Sequence, residues 1–148
     1  MSAITLLVED PKWRSHRGLL ARLKKAADAA RRSARLKGGF TILLADDKKL
    51  GALNHDFRGR GKPTNVLSFP GDGSYAGDIA IAYGVTKKEA EGAAKSLSDH
   101  AAHLVVHGVL HLAGYDHQRP KDALVMEPLE VKILKRLGIA DPYAAGTR

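Results

Sequence analysis

His107, His111 and His117 stand in the segment His107-Gly108-Val109-Leu110-His111-Leu112-Ala113-Gly114-Tyr115-Asp116-His117. The spacing is H-x3-H-x5-H. Residues i and i+4 share a helix face, so His107 and His111 can offer two imidazoles to one ion. Gly114 is suited to the left-handed conformation that ends a helix, after which the chain can turn back. That return brings His117 to the same point. Three imidazoles with a fourth position left to water make a catalytic zinc sphere. A lone histidine on an apolar helix is more often a packed core residue. Three at this spacing, with glycine where the turn is needed, point to metal, and one Zn²⁺ per chain is expected.

The residue after the first histidine narrows the chemistry. The segment resembles the zinc protease pattern H-E-x-x-H-x-x-G-x-x-H, including Gly114 and His117. In that pattern the glutamate is the general base. Here the position is Gly108. A peptidase working that way would lack its proton acceptor, so other chemistry is expected of the cage.

These side chains need elements to hold them. A chain of 148 residues, 44% hydrophobic and 27% charged, suits one globular domain over 1–148. With no cysteine, disulfides and thiolate metal sites are excluded, and His, Asp and Glu remain as ligands. The composition is compatible with a reducing cytosol, and a cytoplasmic location is expected. Met1-Ser2-Ala3-Ile4-Thr5 shows no basic region leading into an apolar stretch, so no secretory signal is expected. No apolar run is long enough to span a bilayer.

The net charge of +8 is uneven. Between Lys12 and Lys37, ten Lys or Arg residues face one acid, Asp28, and the rest of the chain sums to −1. Such a basic face suits a polyanion such as RNA, DNA or an acidic membrane, or is simply a solvated helix face.

Ile4 to Val8 reads as a strand. Asp10-Pro11 marks the start of a helix from Trp13 to about Leu36, closed by Gly38-Gly39. Phe40 to Ala45 reads as a buried strand, and Asp46 caps a short helix to about Phe57. Arg58-Gly59-Arg60-Gly61-Lys62-Pro63 reads as a mobile basic loop. Val66–Phe69 and Asp78–Ala82 read as strands around a Pro70–Gly73 turn. Thr86 and Glu89 form a capping box for one long helix to about Leu112. A last helix runs from about Lys121 to Leu137, ended by Gly138, with a frayed tail from Asp141. The fold class is α/β (α+β): a single small mixed sheet with helices packed on it.

The histidine segment resembles the signature of the YbeY family of bacterial rRNA maturation factors. Leu53-Asn54, Arg58, Pro63-Thr64-Asn65-Val66-Leu67-Ser68-Phe69-Pro70, Gly77-Asp78-Ile79, and Met126-Glu127 followed by a helix to Leu137-Gly138 carry the resemblance further, over about residues 50 to 138. The basic N-terminal helix matches no such motif. Gly61 is a departure, since an acidic residue is common there in the family. The resemblance implies a metal-dependent endoribonuclease specific for single strands, acting in 16S rRNA 3′-end maturation and ribosome quality control. It implies a zincin-like fold with His107, His111 and His117 as ligands on and after a metal-binding helix. It also implies a key arginine at Arg58. The expected partners are single-stranded rRNA and the small ribosomal subunit with its proteins, with neither a membrane nor DNA specificity.

Read alone, Arg58 is a surface arginine in a basic loop; with the resemblance it becomes a phosphate clamp through paired hydrogen bonds. Asp116 is a second catalytic candidate, orienting a ligand histidine or moving a proton, or else it stabilises the turn after Gly114. Ser68 and Thr64 are substrate contacts or structural hydroxyls, and Met126 reads as core. His16, His55, His100 and His103 are not needed for the cage, although His103 is one turn before His107. In the expected mechanism the ion activates water and polarises a phosphoryl oxygen. Arg58 stabilises the developing charge. The segment 12–37, with Arg58, Arg60 and Lys62, collects RNA electrostatically. At 5% aromatic content a broad base-stacking platform is not expected, and selectivity falls to ribosomal context. The alternatives are a zinc metallopeptidase-like hydrolase and a non-catalytic ribosome assembly factor with a structural zinc.

Overall fold

Four largely apolar runs form the sheet of this computed structural model, which describes residues 4–59 and 64–143, Arg58 by its backbone alone. The strands are β1 (Ile4–Val8), β2 (Gly39–Ala45), β3 (Val66–Pro70) and β4 (Tyr75–Ala82), in the order β1-β2-β4-β3. β1, β2 and β4 are parallel, and β3 closes one edge antiparallel to β4. Leu6 lies opposite Ile42, Ile42 opposite Ile79, and Ile79 opposite Ser68. Cross-strand partners point to one face. This row therefore faces the main core, and its polar end, Ser68, lies at the β3 edge.

Among the described residues five α-helices alternate with or follow the strands: α1 (Leu19–Ala34), α2 (Asp47–Arg58), α3 (Tyr83–Gly92), α4 (Leu97–Leu112) and α5 (Pro120–Arg136). α4 carries the site. Its Ala101, Ala102, Val105, Val106, Val109 and Leu110 are buried in one core with Ile42, Ile79, Ile81 and the inner face of α1. A helix apolar on most of its circumference is one that is enclosed. On the opposite sheet face, Leu50 of α2 packs with Ala45, Leu67, Ala80 and Ala82.

Several boundaries differ from the expectation. The helix expected from Trp13 is a 3₁₀ turn, Pro11–Ser15, separated from α1 by Gly18 in the left-handed region at φ 76°. The buried Trp13 indole fixes that turn by donating to the Ala45 carbonyl at 3.0 Å. The long helix expected from Thr86 to Leu112 is two helices. Ala94 adopts φ 55° between them, and Ser96 caps α4 by accepting from the Asp99 N–H at 3.0 Å. Thr86 with Glu89 is not a capping box, because α3 starts directly after β4 at Tyr83 and buries Thr86. An early N–H of α3, on Val85, instead donates to Asp47 Oδ1 at 3.0 Å, across from α2. Of the tail expected to fray from Asp141, Tyr143 is anchored, its hydroxyl donating to Glu130 at 2.8 Å, and residues 144–148 lie outside the described residues.

Candidate metal centre

His103, His107 and His111 recur every fourth residue along α4, on the side that the sheet and α1 leave open. The helix ends at Leu112. Gly114 adopts φ 100°, and the Tyr115 N–H returns to the Leu110 carbonyl at 3.0 Å. The chain turns there and brings His117 back to the helix. Ring centroids lie 4.6 Å apart for His107 and His111, 4.7 Å for His107 and His117, and 5.1 Å for His111 and His117. One nitrogen from each falls within 4.8 Å of the others, a group that could hold a metal ion.

The donor set fits zinc. His107 Nε2 and His111 Nε2 are 3.1 Å apart, near the roughly 3.3 Å expected of two imidazole nitrogens about 2.05 Å from a tetrahedral ion. Imidazole must be neutral to bind metal. Burial, with the neighbouring His107 and His117, pushes His111 down to about 4, so it is neutral at physiological pH. Among the described residues the group offers three candidate protein ligands, and a tetrahedral ion held by three would keep a fourth position open.

The backbone of α4 explains the residue after His107. A Cβ on Gly108 would lie 2.9 Å from Ile79 Cγ2 and 3.2 Å from its Cδ1. The position faces β4 at close approach, and Ser68 Oγ donates to the Gly108 carbonyl at 3.3 Å. Any side chain there, glutamate included, would have to displace Ile79.

Asp116 is half-buried beside the exposed His117. Its Oδ1 accepts from the His117 N–H at 2.7 Å and the Gln118 N–H at 3.2 Å, an Asx turn that fixes the loop delivering the third imidazole. The His117 N–H, foremost, holds its carboxyl below the usual range. Among its candidate roles, these contacts match the turn-stabilising one.

Glu130 escaped sequence reading. It is fully buried on α5, and its Oε2 lies 2.9 Å from His103 Nε2 and 3.1 Å from His107 Nδ1. Burial alone would raise its pKa, but the hydrogen bonds from His103 and His107 prevail and hold it at about 2. One signal was present: Glu130 occupies the apolar stripe of α5 with the buried Met126, Ile133 and Leu134.

The three histidines open onto a cleft of about 470 Å³, also lined by Thr64, Asn65, Ser68, Pro70 and Asp116. Ser68 and Thr64 are thus at the site, Ser68 also in the structural bond to Gly108. Met126 is core. His16 pairs with the Tyr83 hydroxyl at 2.7 Å and His100 with Glu89 at 2.9 Å, and His55 is exposed on α2. Arg58 is the last residue of α2, with Gly59 capping it, rather than in the loop. Its neighbour Phe57 packs on Phe69 of β3, ring centroids 5.1 Å apart. Arg60, Gly61 and Lys62 lie outside the described residues. In the basic segment, Arg22 is tied to Asp99 at 2.7 Å, and Arg31 and Arg32 to Asp28 at 2.9 Å each. Lys12, Arg14, Arg17, Lys24, Lys25, Arg35 and Lys37 are exposed. No helix among the described residues is long and apolar enough to cross a membrane.

A family model described as endoribonuclease YbeY matches residues 10–138, so the match includes the basic helix. A protein named endoribonuclease YbeY from Maricaulis maris is 45% identical, over 97% of this chain and 92% of that relative. One of the same name from Bartonella henselae is 42% identical, over 97% and 98%. The solution structure of TM1509 from Thermotoga maritima superposes with a TM-score of 0.66 at 27% identity, covering 90% of this chain and 88% of that one.

Proposed function

Since the chain belongs to the endoribonuclease YbeY family, we propose that it is a zinc-dependent endoribonuclease that cleaves single-stranded RNA. Its proposed setting is the cytoplasm, in maturation of the 16S rRNA 3′ end and in ribosome quality control, with the small subunit and its proteins as partners. The observation that carries this reading is the convergence of three imidazoles on an open polar cleft, in a chain of this family.

His107, His111 and His117 hold the ion in this reading. Zinc bound there supplies Lewis acidity to a phosphoryl oxygen and to an attacking water. The other steps belong to the chain. Asp116 keeps the His117 loop in its turn. Arg58, at the end of α2 and shortly before the cleft residue Thr64, holds the scissile phosphate and stabilises the charge that grows on it. The exposed cations of 12–37 gather the RNA backbone without reading sequence. Gly108, pressed on Ile79, leaves no place for the base of a zinc peptidase, and three ligands on an open cleft suit catalysis better than a closed structural site.

The test is end-mapping of products from a defined single-stranded fragment of the 16S rRNA 3′ region, with zinc-stripped protein as control. Discrete cuts with the zinc form alone are expected. Equal cutting by both forms would contradict the metal's role.

A further inference from the structure

Glu130 is the one carboxylate among the fully buried side chains of the described residues. Burying a charge is costly unless donors surround it, and here they do. Tyr143 Oη donates to Oε1 at 2.8 Å, while His103 Nε2 and His107 Nδ1 reach Oε2 at 2.9 and 3.1 Å. The donors come from the C-terminal segment and from two turns of α4, so the carboxylate is clamped from both sides. With both oxygens engaged, it is not itself placed as a ligand.

An ionised carboxylate only accepts hydrogen bonds. His107 therefore carries its proton on Nδ1, a tautomer assigned from its partner, and its Nε2 lone pair is turned to the cluster. The 3.1 Å contact between His107 Nε2 and His111 Nε2 is compatible with this tautomer, with His111 Nε2 then donating to His107 Nε2 in the metal-free protein. A histidine ligand oriented by a carboxylate on its other nitrogen is both better aimed and more basic.

We propose that Glu130 is a positioning residue that fixes His107 as an Nε2 metal donor, with His103 and Tyr143 holding the carboxylate in line. His103 is thereby part of the support of the site and not a fourth ligand. The inference rests on the metal reading above and adds to it the residue that tunes affinity.

Two measurements test it without RNA. Zinc affinity is read by chelator competition on the full chain. Loss of an outer partner typically weakens binding about 10–100-fold, and Glu130→Gln should fall in that range. Tyr143→Phe leaves the His107 contact intact and should lose less than tenfold. The second measurement is the ¹⁵N signature of the His107 ring in zinc-free parent protein, which needs no variant to fold. The Nδ1–H form is expected, giving way to a mixture in Glu130→Gln. A merely structural carboxylate would lower the unfolding midpoint of Glu130→Gln while leaving tautomer and affinity alone. Parent protein with His107 in the Nε2–H form would overturn the proposal, as would a folded Glu130→Gln with parental affinity. A parent that binds no zinc would remove the metal reading as well, so the two failures are distinct.

Discussion

Replacing Gly108 by glutamate would rebuild the H-E-x-x-H pattern of the zinc peptidases in this chain, and the structure states what that should cost. An alanine methyl alone at 108 sits 2.9 Å from Ile79 Cγ2, 3.2 Å from Cδ1 and 3.3 Å from Cγ1. Ile79 is fully buried in the central row of the sheet and cannot simply swing aside. Overpacking of this kind costs about 1–3 kcal/mol, while exchanging helical glycine for alanine returns about 0.8–1 kcal/mol. Gly108→Ala should therefore be destabilised by about 0–2 kcal/mol, a Tm loss of a few degrees at this size. Gly108→Glu keeps that clash and directs a carboxylate at an apolar sheet. An unpaired buried charge adds several kcal/mol, for a total beyond about 4 kcal/mol, where substitutions are exceptional. The assay is chemical denaturation of both variants, with zinc content and peptide cleavage measured on whatever folds. A Gly108→Glu protein with the parental midpoint would refute the packing argument. One that also cleaved peptides would show that this position had room for the base after all.

Four further outcomes follow from the site. His111→Ala should lose most bound zinc, since two imidazoles do not complete the sphere; full occupancy by elemental analysis would remove the proposed site. Arg58→Ala should keep its zinc yet cleave RNA about 10²–10³-fold more slowly in single turnover, by analogy with loss of one charge-stabilising donor. Arg58→Lys should recover only part of that, and near-parental cleavage by zinc-loaded Arg58→Ala would leave the phosphate unclamped. Affinity for single-stranded RNA should fall with salt by about 0.7 log units per log unit for each phosphate neutralised. Changing Lys24 and Lys25 to Gln should flatten that slope more than changing Arg31 and Arg32, which Asp28 already pairs; parental slopes in both double variants would make α1 an ordinary solvated face. Acid should destabilise the metal-free protein in two stages. His111 is lowered from 6.5 to about 4, so the unfolded chain takes up its proton first and stability falls as pH drops through that window. Glu130, lowered from 4.5 to about 2, extends the loss below it. Urea midpoints against pH should show the upper stage weakened in His111→Ala, and an unchanged profile would contradict the assignment.

The metal group was legible because its geometry is local. One helical turn separates His107 from His111, and Gly114 supplies the left-handed step that returns His117. The strands were legible from apolar runs between turn residues. Arg58 could be singled out only through resemblance, as a lone arginine in a basic stretch has no distinguishing spacing. Glu130 was not found because its partners lie on another helix, and α4–α5 contact is tertiary. The break between α3 and α4 had a signal that a competing one obscured. Ser96 precedes Asp99 by three residues and does cap α4, whereas Thr86 and Glu89 show the same spacing without the cap, because β4 runs straight into α3. Charge counting overstated the basic segment, since Asp99 lies far along the chain from Arg22 and neutralises it only in the fold.

The central claim is that one ion held by His107, His111 and His117 makes this chain cut single-stranded RNA. The most direct measurement is single-turnover cleavage of an end-labelled single-stranded 16S rRNA fragment while zinc is titrated into metal-free protein, with the same fragment annealed to its complement alongside. Cleavage should rise linearly with zinc, level off at one ion per chain, and stay near background on the duplex. Full cleavage without zinc, or equal cleavage of single and double strands, would contradict the account.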